Sequence, residues 1–377
     1  MFESSWSIIS AFIVFLLGLI IIAKISGYFG LKKKRGLLLY LWHTLFCFAY
    51  FYYVSTFGGD ALAYYSKALS DGFEFRVGTT AVVFLTKILV HGLGFGVITC
   101  FLFFNILGSI GLLAFDGALK QATQHKSTSI KRLATLIVFL PSVSFWSSAI
   151  GKDAISFLAT GLALWAALQF NKRVLLIVSA VFLMLIVRPH MAGMMIIALA
   201  MSVMFDKTSS PLKRISLGVI AIIGTAAMVP FALNYAGVSD PNSSEGLMDY
   251  VENRQSYNME GGGGVDIANM SLPMQLFTYM FRPIIFEARS ITALAAAFDN
   301  LILLYLFIVA FYSLIRKKSQ KFTENRKFMW VYVMLAWIVL AMTSANLGIA
   351  IRQKWMFAPM FIFLLISLVG KNKNKLQ

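Results

Sequence analysis

The chain has 377 residues, of which 59% are hydrophobic and 13% are charged, and it carries a formal net charge of +17. Together with a mean hydropathy of +0.78, this composition excludes an ordinary soluble globular domain. Continuous apolar runs of about twenty residues instead predict an all-α protein that crosses a membrane many times.

The predicted membrane spans follow one another along almost the whole chain. In order, the eleven spans cover 7–29, 37–55, 95–118, 133–146, 150–170, 174–187, 190–205, 215–234, 291–314, 328–345 and 353–370. The first is too long for a signal-peptide core and has no basic segment before it, so we predict a permanent span. The run 78–93 is predicted to be re-entrant or to lie at the interface, because a twelfth crossing would reverse the sidedness of the next basic loop.

Lysine and arginine are concentrated in alternate connections between the predicted spans. The segments 32–35, 120–132, 172–173, 207–214, 316–327 and 371–375 hold 22 of the 33 basic residues. Because basic loops stay in the cytoplasm, this charge reports topology rather than nucleic-acid binding, and it predicts an outer N-terminus and a cytoplasmic C-terminus. The chain is then one transmembrane domain, 1–377, with an extracytoplasmic loop at 235–290.

That outer loop divides into three parts by composition. A short helix is predicted before Gly261–Gly264, and the glycine run itself indicates a mobile hinge more than a phosphate cradle. The following LPMQLFTYMFRPIIFEA is apolar and broken by Pro283. It predicts an interfacial helix that dips into the outer leaflet and presents Arg282 and Glu287 at its surface.

Five outer stretches carry charge beside the hydrocarbon, against the general trend. They are FGGDALAYY with Asp60, Tyr64 and Tyr65; FWSSAIGKDA with Lys152 and Asp153; VRPHMAG with Arg188 and His190; MFRPIIFEARS with Arg282, Glu287 and Arg289; and GIAIRQKW with Arg352, Gln353 and Lys354. Arginine grips phosphate oxygens two at a time, so the set predicts a phosphate or pyrophosphate site. Any one of these arginines is equally well explained as a snorkelling anchor.

The remaining titratable residues leave alternatives open. His190, beside an outer arginine, is a candidate general base, although a packed or solvated histidine is as good an interpretation. Lys152 and Asp153 are also explained as a self-neutralising pair at a hairpin tip. His43 lies in a predicted span with no cluster around it. Metal-ligand spacings are missing, so we predict neither a metal nor another cofactor.

Four stretches resemble a known family. GGDALAYY, PSVSFWSSAIGKDAISF, LPMQLFTYMFRPIIFEARS and NLGIAIRQKWMFAPMF resemble bacterial O-antigen and capsule polymerases (Wzy-type). These are related to O-antigen ligases and to the GT-C class of lipid-linked-sugar glycosyltransferases. The resemblance covers most of the chain in topology and some fifty residues in motif. One departure is clear: Arg188, Arg254 and Arg289 do not meet the R-x10-G pattern of some of these polymerases.

The resemblance implies a GT-C-like enzyme at the outer face of the bacterial inner membrane, with undecaprenyl-pyrophosphate-linked oligosaccharide as donor. A chain-length regulator and a flippase are implied as partner proteins, and nucleic acid is not. The implied roles are pyrophosphate binding by Arg188, Arg282, Arg289, Arg352 and Lys354; base or acceptor orientation by Asp60, Glu287 or His190; and other substrate contacts by Tyr64, Lys152 and Gln353.

Three other functions compete with the polymerase. A ligase would bind the same donor through the same kind of arginines. A transporter or flippase would need charge at mid-depth in the spans, where the sequence offers only Asp116 and Lys87, isolated and near span ends. A glycan acyltransferase would need a buried catalytic histidine, for which His43 is the only candidate.

Overall fold

We analysed a computed structural model of the chain. It describes residues 5–70, 72, 74–204, 244–259, 263–316 and 325–370, with scattered positions between 212 and 226. In these residues the regular structure is helical, apart from one antiparallel bridge between Gly264 and Asn346. The all-α prediction is confirmed.

Sixteen α-helices are numbered here in chain order. They are α1 Ser5–Ile25, α2 Lys33–Phe57, α3 Asp60–Leu69, α4 Thr79–Lys87, α5 Val97–Thr123, α6 Thr128–Val138, α7 Pro141–Ser147, α8 Lys152–Ala167, α9 Val174–Val187, α10 Pro189–Met204, α11 Ser244–Met259, α12 Leu272–Phe281, α13 Ile291–Ile315, α14 Arg326–Thr343, α15 Leu347–Gln353 and α16 Ala358–Leu368, all within the described residues. Local caps begin several of them. Ser290 Oγ accepts from the Ala293 N–H, and Asn346 Oδ1 accepts from the Gly348 N–H.

The described helices are those of a polytopic membrane protein. Six are long and apolar enough to span a bilayer: Ser5–Phe29, Lys33–Phe57, Val97–Thr123, Thr128–Ser147, Ile291–Ile315 and Arg326–Thr343. A seventh span arises if Leu347–Met356 and Ala358–Leu368, bent by 70°, are counted as one. The count of eleven crossings stays a prediction, and the span predicted at 215–234 falls mostly outside the described residues.

The chain divides into two compact units, each described here by itself. Among the described residues, the first comprises those of 5–166 and 174–188, and the second comprises 167–173 and those of 189–370. The prediction of a single membrane domain with an inserted loop at 235–290 stays a prediction.

In the first unit, the ends of the long helices meet in pairs. Arg35, at the start of α2, holds Asp116 through two hydrogen bonds of 2.9 Å, so Asp116 is not isolated. At the opposite end, Trp6 Nε1 donates to the Leu93 carbonyl at 2.9 Å. Because α2 begins beside the last part of α5, the two helices run in opposite directions. The chain therefore leaves α2 and enters α5 at the same end. This arrangement favours the prediction that 78–93 makes no net crossing.

Candidate functional site

The first unit gathers charged residues at the turn between α7 and α8. Arg188, which directly follows α9, donates from Nη2 to Asp153 Oδ1 at 2.7 Å. Lys152 Nζ donates to Thr79 Oγ1 at 3.1 Å. Two residues predicted to bind substrate, Lys152 and Arg188, thus belong to one cluster. Asp153 forms a salt bridge with Arg188. The sequence had instead suggested a self-neutralising pair between Asp153 and Lys152.

Arg188 is the most deeply buried member of this cluster. It is only 5% exposed, and its Nε–H finds no hydrogen-bond acceptor among the described residues. A buried guanidinium with an unused N–H is costly unless a further acceptor reaches it. The Nε–H is therefore able to donate to one more anionic or carbonyl oxygen.

The helix that begins at Lys152 packs closely against α5. Gly111 of α5 packs directly on Leu158 and Gly161 of α8, where a Cβ on Gly161 would lie 2.6 Å from the Gly111 carbonyl oxygen. At a rise of about 1.5 Å per residue, Lys152 stands about 9 to 14 Å along α8 from this crossing.

The remaining first-unit candidates lie on α3. Asp60 is its first residue and is exposed, while Tyr64 lies one turn later and is buried. An acidic residue in the first turn of a helix is stabilised by the helix dipole, so the start of α3 also explains the presence of Asp60 without a role in binding substrate.

In the second unit, a tight turn holds Arg282 against Glu287. Arg282 Nε donates to Oε1 at 2.9 Å and to Oε2 at 3.1 Å, and Nη2 donates to Oε1 at 2.5 Å. Glu287 Oε2 also accepts from the Ile284 N–H at 2.9 Å. The Arg282 hydrogen bonds, aided by that backbone donor and by the arginine charge, hold the pKa of Glu287 below its ordinary value against partial desolvation. A carboxylate so held is a weak base, but it orients Arg282 well.

A buried polar chain ties this turn to the helix that carries Arg352. Lys354 is fully buried, and its Nζ donates to Asn300 Oδ1. Asn300 Nδ2 in turn donates to the Pro283 carbonyl at 3.0 Å. The segments that begin at Arg282 and at Arg352 therefore meet at one residue of α13.

The other candidates of this unit differ in exposure. Arg352 and His190 are half-buried, and Arg289 is exposed just before α13. Gln353 Oε1 accepts from Ser344 Oγ at 3.4 Å. Lys354, predicted to contact pyrophosphate from the outer surface, instead faces the protein interior.

Two residues of the glycine run, Gly263 and Gly264, lie against the start of α15. Gly261 and Gly262 lie outside the described residues. Gly263 accepts from the Leu347 N–H at 2.9 Å, and Val265 N–H donates to the Ala345 carbonyl at 2.8 Å. A Cβ on Gly263 would stand 3.1 Å from Asn346 Oδ1. At this position the missing side chain permits close approach to the start of α15, so the interpretation as a hinge is not supported there.

Sequence reasoning missed a buried network around His43. Its Nδ1 lies 2.6 Å from Asn105 Oδ1, and its Nε2 lies 3.0 Å from Ser147 Oγ. Asn105 Nδ2 donates to Thr44 Oγ1 at 2.8 Å, so its oxygen faces His43 and the imidazole proton is assigned to Nδ1. The only sequence signal was the polar pair Asn105 and Ser109, four residues apart on an apolar helix and hence on one face.

Neither a metal cluster nor a known relative adds to this geometry. Within the described part of the chain, no group of three or more His, Cys, Asp or Glu side chains is placed to hold a metal ion. Compared with protein-family models, curated proteins and solved structures, the chain gives no match.

Proposed function

We propose that this protein is a polysaccharide repeat-unit polymerase, a membrane glycosyltransferase of GT-C-like architecture. It transfers undecaprenyl-pyrophosphate-linked oligosaccharide to an acceptor glycan at the outer face of the bacterial inner membrane. The proposal includes eleven crossings, an outer N-terminus, a cytoplasmic C-terminus and an extracytoplasmic loop at 235–290. The observation that carries it is the joining, through Asn300, of the two segments MFRPIIFEARS and GIAIRQKW.

Arg282 supplies the fixed positive charge of the reaction. Glu287 occupies its Nε–H and one Nη2–H, which leaves both Nη1 hydrogens and one Nη2 hydrogen for a ligand. Departure of a lipid pyrophosphate builds negative charge on the leaving oxygen. A guanidinium already oriented by a carboxylate stabilises that charge without reorganisation in the transition state. Arg352, from the adjoining segment, shares this role.

The acceptor hydroxyl needs a separate proton acceptor. In the transfer step its oxygen bonds the anomeric carbon, the bond from that carbon to the pyrophosphate oxygen breaks, and the lipid pyrophosphate leaves as an anion. The hydroxyl proton passes to a base. Glu287, whose pKa is lowered by Arg282, is the poorest of the three candidates, so we assign this role to His190, which belongs to the same unit as Arg282.

The buried cations complete the assignment. Lys354 supports the turn through Asn300 rather than touching substrate. In the first unit, Arg188, with its unused Nε–H, and Lys152 form a separate cluster that can bind an anionic or hydroxyl-rich group. Exposed Arg289 remains at the rim of the site.

The deciding experiment compares surface polysaccharide in cells that lack the gene and carry the wild type, Arg282→Ala or Arg76→Ala. Arg76 is a matched control because its pair with Glu74 is fully solvated, with side chains 77% and 83% exposed. We expect a ladder from the wild type and Arg76→Ala, and single repeat units from the null and Arg282→Ala. Long chains that stay on polyprenol in the null would indicate a ligase instead.

A transporter or flippase of an anionic lipid-linked glycan is the second candidate, and one observation favours it. Asp299 and Lys354 are both fully buried, and Lys354 lies in the last turn before the break of the bent pair Leu347–Met356 and Ala358–Leu368. Charged groups at broken helices are common in transport sites. In proteoliposomes, a transporter would move the lipid-linked glycan without acceptor, whereas a polymerase would lengthen it only when acceptor is present.

A further inference from the structure

The loop between α12 and α13 presents an unusual apolar surface. Three consecutive apolar residues, Ile284, Ile285 and Phe286, are 40%, 43% and 96% exposed; we name them the Phe286 wedge. Isolated exposed apolar residues are common, but three in succession at the tip of a turn indicate a contact with a membrane or a partner.

The wedge is held rigidly in this exposed position. At its start, the Ile284 N–H donates to Glu287, which is itself gripped by Arg282. The preceding carbonyl, that of Pro283, accepts from the buried Asn300 side chain. The exposure of Phe286 therefore belongs to a braced turn and is not the consequence of a loose loop.

The exposed face of α13 indicates that the wedge is covered by lipid. Apolar residues three or four apart form one exposed stripe down this membrane-spanning helix: Ile291, Leu294, Phe298, Leu301, Tyr305 and Ile308. Residues at this spacing share one helix face, and on a membrane span an exposed apolar face contacts lipid. The wedge ends only five residues before Ile291, so it lies close along the chain to the start of this lipid-facing surface.

The charge beside the wedge agrees with a lipid occupant. Arg289 is exposed between Phe286 and the start of α13, where its guanidinium can reach lipid phosphates. An aromatic ring with a neighbouring cation at a span end is the usual composition of a membrane interface.

We propose that the Phe286 wedge is inserted into the leaflet that α13 enters at Ile291, and that its ligand is bilayer lipid. Because the wedge and Arg282 share one braced turn, insertion also fixes the depth of the Arg282 guanidinium near the level of the lipid phosphates. This second consequence rests on the proposed function, whereas the insertion itself does not.

Site-directed fluorescence quenching tests the insertion in the full-length protein. Phe286→Cys is labelled with bimane after reconstitution in vesicles of phosphatidylethanolamine and phosphatidylglycerol. Native Cys47 and Cys100 are only 1% and 0% exposed, so the new thiol is the reactive one. Glu74→Cys serves as the water-exposed control and Leu294→Cys as the lipid-facing control.

Insertion predicts that a nitroxide near the top of the acyl chain quenches bimane at 286 several-fold more than at 74. Aqueous iodide is expected to quench it several-fold less than at 74. Iodide quenching equal to that at 74 overturns the proposal. So does protection at 286 from both quenchers, since a protein surface would then cover the wedge.

The effect on depth is tested separately in cells. Phe286→Glu is expected to shorten the polysaccharide ladder at unchanged protein level, while Phe286→Leu keeps it. If quenching shows insertion but Phe286→Glu leaves the ladder intact, the depth assignment is wrong. Failure of the polymerase proposal would instead appear as an intact ladder in Arg282→Ala and in the null.

Discussion

Lys354 donates a hydrogen bond to Asn300 from the buried break between α15 and α16, and the two residues are only 0% and 1% exposed. Asp299, also buried, supplies the opposite charge near the lysine. A charge removed from water in this way needs both a counter-charge and hydrogen-bond partners. The cluster therefore acts as a brace between the Arg282 turn and the Arg352 segment.

Lys354→Met should destabilise the protein strongly, because it removes the cation that faces Asp299. We expect a loss of about 3 kcal/mol or more, the usual consequence of removing one partner of a buried pair. Thermal unfolding in detergent measures it. Lys354→Met combined with Asp299→Leu should recover part of the loss, and a single variant as stable as the wild type would contradict the brace.

Arg282→Ala should reduce polymer formation about a hundredfold, the usual effect of removing one preorganised charge donor. Glu287→Gln should reduce it less, since the guanidinium remains and only its orientation weakens. Product length and amount on gels measure both. Equal losses in the two variants would mean that Glu287 acts directly on substrate.

The Arg282–Glu287 pair should give stability an acid-dependent component. Because the pKa of folded Glu287 is lowered by Arg282, the pair contributes stability above the ordinary glutamate pKa of about 4.3 and loses it as pH falls through the lower folded pKa. Between about pH 6 and 8 the wild type should be more stable to unfolding than Glu287→Gln, by a margin that does not change with pH. Thermal melts should show the margin shrinking below about pH 4, and a margin that grows in acid would refute the assignment.

Asp153→Ala should cost about 3 to 5 kcal/mol, because Arg188 is buried and would lose its counter-ion. The matched change Glu74→Ala, at the solvated Arg76 pair, should stay within about 0.5 kcal/mol. Chemical or thermal unfolding in detergent compares the two. Similar values at both sites would show that burial of Arg188 is not maintained in solution.

Gly161→Ala should loosen the packing of α8 against α5. A Cβ there would lie 2.6 Å from the Gly111 carbonyl oxygen, whereas a Cβ at Gly151 would meet nothing closer than 3.9 Å. We expect a loss of about 1 to 3 kcal/mol for Gly161→Ala and a much smaller change for Gly151→Ala. Indistinguishable melting temperatures would contradict the close crossing of α5 and α8.

Helix positions in this protein follow from local sequence. The span predicted at 174–187 coincides with α9 Val174–Val187, and the predicted short helix in the outer loop is α11 Ser244–Met259. Apolar run length and capping residues act within a few positions along the chain, so they are visible in the sequence alone. The breaks within 128–147 and 347–368 were not predicted, although Pro141 and Pro359 stand in the first turn of the second helix in each case.

The sequence by itself determined that this is an all-α membrane protein with charged residues beside its spans, because hydropathy and charge are local properties. The tertiary structure decided which of those charges are buried and which partners they have. Lys354 is separated from Asn300 by 54 residues, and Arg188 from Asp153 by 35. A snorkelling lysine and a buried bracing lysine have the same local sequence pattern, and only the contacts made by helix packing distinguish them.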